Sequence, residues 1–170
     1  MIPVTIEALV IGQAPEKSVI VLRPFMETGP NPRVLPIYIG PNEAMAISTA
    51  LEGRRSGRPQ THDLAMSILS GLGGEFLRVV IDRVDGLMFY AKIAIKKGDE
   101  VVELDARPSD AIILAIKANA PVFLEPPVFI AGGVPYNAQR EDLKEAEFEA
   151  FQEYIENIEP DDFLSFGDHE

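Results

Sequence analysis

The chain of 170 residues contains no cysteine. This absence excludes disulfide bonds, thiolate metal sites and cysteine nucleophiles. The chain also lacks an apolar run close to the ~18 residues that a membrane-spanning helix requires. Its N-terminus does not show the basic, apolar and small-residue layout of a signal peptide. We therefore expect a cytoplasmic protein that does not enter a membrane.

Histidine is nearly absent, because His62 and His169 are the two in the chain and their spacing is not that of zinc ligands. A dedicated zinc site is not expected, and an oxygen-ligated Mg²⁺ or Mn²⁺ is the metal that the composition supports. Three common motifs are also missing: the Gly-x-x-x-x-Gly-Lys phosphate loop, the Gly-x-Gly-x-x-Gly turn and the Gly-x-Ser-x-Gly elbow.

The net charge of −12 is concentrated at the C-terminal end. Residues 141–170 hold 12 acids and one base, Lys144, whereas residues 1–140 hold 15 acids and 14 bases. The body is therefore close to neutral, which permits nucleic-acid binding without indicating it. Hydrophobic residues make up 46% of the chain, enough for a core. We expect one domain over residues 1–135 and an acidic helix and tail over residues 136–170.

A short sequence motif occurs twice. Pro41-Asn42-Glu43-Ala44 returns 67 residues later as Pro108-Ser109-Asp110-Ala111, and an apolar helical run follows each copy. Each copy also follows three strand-like segments. The repeat predicts two strand-strand-strand-helix units, with the carboxylates of Glu43 and Asp110 at corresponding helix starts.

Alternating apolar residues and turn signals define the predicted elements. Strands are predicted at Val4–Ile11, Ser18–Phe25, Val34–Ile39, Phe76–Val84, Leu87–Ile95, Val101–Ala106 and Pro121–Leu124. Helices are predicted from Asn42 to about Glu52, at Leu64–Leu72 after a Thr61 cap, at Asp110–Asn119 and at Glu141–Ile158. Val128–Pro135 is predicted to be a loop rich in glycine and proline. The fold class is α+β, with a mostly antiparallel sheet.

The densest polar cluster runs from Arg58 to Asp63. Its arginine can hold a phosphate, its histidine can move a proton near neutral pH, and its carboxylate can ligate a cation. A purely structural interpretation is equally physical: Thr61 and Asp63 cap a helix, Arg58 pairs with a carboxylate and His62 fills space. Composition favours the structural interpretation.

Asp105-Ala106-Arg107-Pro108-Ser109-Asp110 has the same two interpretations. Ser109 and Asp110 suit a helix start, but capping does not require the guanidinium of Arg107. Because Arg58-Pro59 also precedes a capped helix, two arginines beside helix starts would form an anion-binding surface. Ion pairs of these arginines with Glu43 or Asp105 are the simpler alternative.

The order of several short motifs resembles the bifunctional nuclease family. The motifs are Leu35-Pro36-Ile37-Tyr38-Ile39-Gly40, Glu43-Ala44, Arg58-Pro59 with Thr61-His62-Asp63-Leu64, Phe89-Tyr90-Ala91, and Asp105 to Ala111. The resemblance covers about residues 3–130, and Pro160-Asp161-Asp162-Phe163 resembles the tail of actinobacterial-type members. It implies a compact α+β domain that forms homo-oligomers, for which we expect a dimer.

The resemblance also implies a nuclease that degrades RNA and DNA with little sequence preference, with help from a divalent metal. His62, Asp63, Asp110 and Glu43 are the expected catalytic groups, and Arg58, Arg107, Thr61 and Ser109 are expected to bind substrate. Asp63, Asp105 and Asp110 are the expected ligands for Mg²⁺ or Mn²⁺. The alternative is a non-catalytic regulatory module that binds an anionic ligand, which the near-neutral body and acidic tail favour.

Overall fold

In the computed structural model, the described residues form one sheet of eight strands. The description covers residues 1–12, 18–28, 32–54 and 57–136. The strands are β1 (Ile2–Val10), β2 (Ser18–Pro24), β3 (Arg33–Ile39), β4 (Gly74–Asp85), β5 (Met88–Lys97), β6 (Glu100–Ala106), β7 (Val122–Leu124) and β8 (Val134–Pro135). The helices are α1 (Pro41–Leu51), α2 (Thr61–Gly71), α3 (Pro108–Ala118) and α4 (Pro126–Gly132). The predicted acidic helix at Glu141–Ile158 lies outside the described residues.

The strand order is β6-β5-β4-β7-β1-β2-β3-β8, and each pair is antiparallel except β4 with β7. Two meanders, β1–β3 and β4–β6, therefore lie on either side of β7 in mirrored order. Each meander leads directly into a helix, α1 or α3. This arrangement confirms the predicted α+β class with two strand-strand-strand-helix units.

The turns of the second meander form where the sequence places them. Asp85 pairs with Met88, and Lys97 pairs with Glu100. The glycines in these turns, Gly86 and Gly98, have φ values of 57° and 62°. Glycine enters this left-handed region without the steric cost of a Cβ, so it is the residue these tight turns favour.

The main core lies between one face of the sheet and the helices. It contains Ile20, Leu35 and Ile81 from strands, Ile47 from α1 and Ile112 from α3, all below 2% exposed. A smaller cluster on the opposite face contains Val19, Val21, Val34 and Val134. Burial of apolar area at about 25 cal/mol per Å² makes these two clusters the main source of stability.

The alternation along β1 predicts that Val4, Ile6, Ala8 and Val10 share one face, and this prediction is wrong for its second half. Ile6 pairs with Leu22 but Ala8 pairs with Val21, so a bulge at Glu7 shifts the register. Ala8 and Val10 consequently pack in the smaller cluster, and Leu9 packs against the main core. An extra residue in one strand exchanges the two faces, which a strict period of two cannot anticipate.

Three helix starts also differ from the predicted caps. The N-caps are Gly40, Gln60 and Arg107, rather than Asn42, Thr61 and Ser109. In α1 and α3 a proline occupies the beginning of the helix. Its fixed φ and missing N–H group suit the first helical position, so these helices begin earlier than the polar residues indicate.

The predicted loop at Val128–Pro135 is wrong, because α4 and β8 occupy most of it. Pro126 begins α4, and Val128 and Phe129 are 1% and 7% exposed. Burial of these two side chains against the core outweighs the weak helix propensity of a segment rich in glycine and proline. No helix within the described ranges is long and apolar enough to span a membrane.

Candidate functional site

The first turns of α1, α2 and α3 converge at one place on the surface. Glu43 lies in the first turn of α1, His62 and Asp63 in that of α2, and Asp110 in that of α3. Two cavities open beside Glu43, His62 and Asp110, and Asp63 lines a separate cavity together with Lys117. The fold therefore brings together groups separated by up to 67 positions in the sequence.

His62 and Asp110 are hydrogen-bonded to each other. Nε2 of His62 is 3.1 Å from Oδ1 of Asp110. Burial raises the pKa of Asp110, but hydrogen bonds from Arg107 and His62 outweigh this effect and hold the pKa below its usual value. Asp110 is consequently an ionised carboxylate that can only accept, so the proton of this bond lies on Nε2.

Arg107 links α1 to α3 through two carboxylates. Its Nε and Nη2 atoms lie 2.7 Å and 3.1 Å from the two oxygens of Asp110, and Nη2 lies 2.9 Å from Oε1 of Glu43. The bonds with Asp110 are the main reason that the pKa of Arg107 is raised. The Arg107 side chain is nevertheless 66% exposed. A guanidinium in this position is oriented by the protein and still open to an anion from solvent.

Asp63 has a different partner. Its Oδ1 lies 2.6 Å from Nζ of Lys117 in the last turn of α3, and its Oδ2 accepts a 3.0 Å hydrogen bond from the backbone N–H of Gln60. The bond with Lys117 is the main cause of a lowered pKa for Asp63. Lys117 was not among the predicted site residues, because the lysine follows Asp63 by 54 positions.

The remaining candidates occupy different surroundings. Thr61 and Arg58 are exposed, Ser109 is 7% exposed, and Asp105 lies on the outer strand β6 with its side chain exposed. Pro59, next to Arg58, lines the cavity that contains His62. Ser109 and Asp105 line the neighbouring cavity. Of the predicted substrate-binding residues, Thr61 and Ser109 therefore line different cavities, Arg107 lines both, and Arg58 lines neither.

The first cavity, here named the helix-start pocket, has a volume of about 560 Å³. Its walls include Glu43, Thr61, His62, Arg107 and Asp110. Helix N-termini carry partial positive charge, and three of them begin around this pocket. The pocket therefore combines an exposed guanidinium with a histidine whose ring is held by a carboxylate.

The second cavity, here named the hairpin pocket, has a volume of about 400 Å³. It is lined by the end of β3, the β4–β5 turn and the β6–α3 junction, and it shares Glu43 and Arg107 with the helix-start pocket. Phe89 and Tyr90 belong to a family motif but were not predicted to be site residues. The available signal was a pair of adjacent aromatic residues directly after the Asp85-Gly86 turn.

Groups of three or more His, Asp or Glu side chains placed to hold a metal are absent from the described part of the chain. Asp110 faces Arg107, and Asp63 faces Lys117. A cation that bound these carboxylates would first have to displace an arginine or a lysine. The described donors therefore do not fit a preassembled Mg²⁺ or Mn²⁺ site.

Comparison with known proteins gives a family model described as "Bifunctional nuclease domain", which matches residues 25–137. Two uncharacterized proteins of Mycobacterium tuberculosis, one from strain CDC 1551 / Oshkosh and one from strain ATCC 25618 / H37Rv, are each 34% identical to this chain over 137 residues. The alignments cover 77% of this chain and 81% of each relative. The range matched by the family model includes every residue of both pockets.

Proposed function

The chain belongs to the bifunctional nuclease domain family, and from this premise we propose that it hydrolyses phosphodiester bonds of RNA and DNA in the helix-start pocket. One observation carries the proposal. A histidine held by a carboxylate, His62 with Asp110, lies beside the exposed guanidinium of Arg107. A proton-transfer group and a phosphate-binding group are the two parts that this reaction requires.

His62 is the proposed proton-transfer group. Because Nε2 donates to Asp110, Nδ1 carries the lone pair, and no other described side chain bonds to the ring. Nδ1 takes a proton from a water molecule as its oxygen attacks phosphorus. The P–O bond to the leaving oxygen then breaks, and the protonated ring returns a proton to that oxygen. Asp110 fixes the tautomer and stabilises the charged ring, so it is a positioning residue.

Arg107 is the proposed phosphate-binding residue. Its two pairings orient the guanidinium, and its exposure leaves it accessible to a phosphate. The charge of the guanidinium opposes the negative charge that accumulates on the phosphate oxygens in the transition state. Exposed Arg58 contributes a second cation near Pro59 at the edge of the pocket. Contacts with phosphate carry no sequence information, in keeping with the proposed lack of sequence preference.

Divalent-metal assistance remains a prediction from the family resemblance. Since the described carboxylates do not fit a preassembled ion site, no step of the proposed reaction is assigned to a metal. A comparison of cleavage in EDTA with cleavage in Mg²⁺ or Mn²⁺ tests this point directly. If cleavage requires the ion, the ion-pair network around Asp63 and Asp110 must rearrange when the ion binds.

A non-catalytic module that binds an anionic ligand is the second candidate. The observation that favours it is the charge balance of the site: Arg107 faces Glu43 and Asp110, and Lys117 faces Asp63. Such pairs stabilise helix starts without any chemistry. In this case phosphate or a nucleotide binds at Arg107 and is not cleaved.

The deciding experiment compares the wild type with His62→Gln on end-labelled single-stranded RNA and DNA. Gln keeps a polar group near Asp110 but cannot act as a base. Asp99→Asn, in the exposed β5–β6 turn, is the matched control. Loss of cleavage in the His62 variant alone supports the nuclease. Cleavage that survives in this variant, or that separates from the wild-type protein on further chromatography, leaves the binding module as the better account.

Self-association is part of the same proposal. Leu64 and Ile68 of α2 and its C-cap residue Leu72 form an apolar stripe and are 54%, 53% and 65% exposed. Apolar side chains grouped in this way on a helix are typical of an interface. We expect a homodimer by sedimentation that Ile68→Asp dissociates, and a wild type that sediments as a monomer would contradict it. A cytoplasmic location also remains a prediction, in keeping with the absence of cysteine.

A further inference from the structure

The hairpin pocket lies where distant parts of the sheet approach each other. β3 is near one end of the strand order, and β5 and β6 are at the other. Even so, Ile39 of β3, Phe89 of β5 and Ala106 of β6 line the same cavity. The sheet is therefore curved enough to bring its two ends together around a cleft of about 400 Å³.

Apolar side chains form most of this cleft. Leu87 and Met88 are at its rim on the β4–β5 turn and are 52% and 62% exposed. Phe89 lies deeper. Its ring packs closely on Gly132 of α4, because a Cβ added to this glycine would lie 3.0 Å from the Phe89 ring. Arg83 lies 3.7 Å from the centroid of the Tyr90 ring. These contacts fix two aromatic rings beside an exposed apolar rim.

Apart from Arg107, which the cleft shares with the helix-start pocket, its charged side chains suit a neutral ligand better than an anion. Glu43 and Asp105 line it, and no ion pair or hydrogen bond of Asp105 is found within the described ranges. Carboxylates repel phosphate, but they accept hydrogen bonds from the amino groups of nucleobases. The cleft therefore combines flat apolar surfaces with the acceptor oxygens of Asp105, whereas Glu43 is already paired with Arg107.

Arg107 and Glu43 connect the cleft to the helix-start pocket, because they line both cavities. A phosphate at Arg107 would lie at the boundary between the two cavities, next to the hairpin pocket. We propose that the hairpin pocket binds the nucleobase of the nucleotide whose phosphate Arg107 holds. This inference rests on the proposed function and adds the substrate class: single-stranded nucleic acid.

The restriction to single strands follows from the geometry of stacking. A base within a duplex is paired on its edge and stacked on both faces, so it cannot enter a pocket unless it leaves the helix. A base of a single strand is free to stack on an aromatic or apolar wall. Such stacking tolerates any base, because every base has a flat π-face.

The test uses the full-length protein and three probes: adenosine 5′-monophosphate, ribose 5-phosphate and inorganic phosphate. Calorimetry gives the dissociation constant of each. We expect the nucleotide to bind about tenfold more tightly than ribose 5-phosphate, since stacking on a protein wall is the added interaction. Equal affinity for the nucleotide and ribose 5-phosphate, or no binding of either at millimolar concentration, would overturn the inference.

The variant Leu87→Ser with Met88→Ser tests the location of the pocket. Both side chains are exposed, so folding is retained. The ratio of the dissociation constant of ribose 5-phosphate to that of the nucleotide is expected to fall to about one. Met26→Ser is the control, because Met26 is 85% exposed after β2 and lies outside both pockets and outside the apolar stripe of α2. A double variant that keeps the full preference would contradict the proposed location.

Cleavage by His62→Gln, measured in parallel, separates this inference from the proposed function. A nucleotide preference together with cleavage that does not depend on His62 overturns the nuclease mechanism and leaves the base pocket intact. Cleavage that depends on His62 without a nucleotide preference overturns the base pocket alone. Cleavage of a hairpin-free oligonucleotide at least about tenfold faster than of its duplex is the further expected result.

Discussion

Nε2 of His62 lies 3.1 Å from Oδ1 of Asp110, so the first turn of α2 contacts the first turn of α3 through two side chains 48 positions apart. The same carboxylate also accepts two hydrogen bonds from Arg107. Asp110 therefore connects the proposed base with the proposed phosphate-binding residue. The predictions below separate the roles of these three residues.

His62→Gln is expected to lower the cleavage rate by about 10²-fold or more, because general acid–base catalysis contributes about this factor. The effect should fall on kcat, since His62 is proposed to transfer a proton and not to bind the phosphate. Steady-state rates on labelled RNA measure it, and a thermal melt verifies folding. A variant whose kcat equals that of the wild type would contradict this role.

Asp110→Asn and Asp63→Asn should have different effects. An amide at position 110 keeps the shape of the side chain but no longer stabilises the charged His62 ring, so we expect a loss of at least about tenfold in kcat. Asp63 bonds with Lys117 and the Gln60 backbone, so its amide variant should change stability more than cleavage. Rates and melting temperatures of both variants, measured side by side, test this difference. Equal rate losses would show that Asp63 also acts in the reaction, as the sequence first indicated.

Arg107→Gln should weaken substrate binding. Removal of one phosphate contact lowers the slope of log K against log salt by about 1. Lys97→Gln, an exposed lysine at the end of β5, is the matched control for the loss of one positive charge. Fluorescence anisotropy with a single-stranded oligonucleotide at several salt concentrations gives both slopes. If the two variants change affinity equally, Arg107 contributes only its positive charge and makes no specific contact with a phosphate.

The pair of Asp63 with Lys117 predicts a dependence of stability on pH. The pKa of Asp63 lies below its usual value of 3.8 in the folded protein, so the unfolded chain binds its proton more readily. The stabilisation is present above about pH 4 and disappears as the pH falls through the lower folded pKa. Because the Asp63 side chain is 38% exposed, its ion pair with Lys117 contributes no more than about 1 kcal/mol to the free energy of unfolding.

Urea unfolding of the wild type and Asp63→Asn tests this dependence. The variant should be less stable at pH 7, and the difference should shrink below about pH 3. Asp99→Asn, in an exposed turn, should show no such change. A difference that is the same at both pH values would mean that the amide disturbs the helix start for a reason other than charge.

The acids of residues 141–170 are expected to oppose nucleic-acid binding. Replacement of these 12 Asp and Glu residues by Asn and Gln brings the formal net charge of the chain from −12 to zero and reduces repulsion of phosphate. Affinity for single-stranded DNA should rise at low salt. The increase should fade near 1 M salt, where the screening length is about 3 Å. Unchanged affinity at low salt would exclude an electrostatic role for this segment.

Local pattern predicted most of the secondary structure correctly. The two hairpins of the second meander follow from Asp85-Gly86 and Gly98-Asp99, because glycine turns impose a reversal within a few residues. The predictions failed where a tertiary contact outweighed a local signal. The bulge at Glu7 moved Ala8 and Val10 to the other face, and burial of Val128 and Phe129 produced α4 in a predicted loop.

The candidate site was partly visible in the sequence. Arg58, His62, Asp63, Arg107 and Asp110 were selected because each lies close to a predicted helix start. The partners of these residues were not visible. Lys117 lies at the far end of α3, and the sequence could not show that Asp63 would bond with it while Asp110 bonds with His62.

The kinds of chemical groups present, the positions of most strands and helices and the absence of thiol chemistry follow from the amino-acid sequence. Hydrophobic period, turn residues and composition act over a few neighbouring positions, so one chain is enough to reveal them. The pairing of each carboxylate with its cation, and the set of apolar residues that line a cleft, depend on the tertiary structure. These pairings depend on how α1, α2 and α3 pack on a curved sheet, and that packing is fixed by the whole core at once.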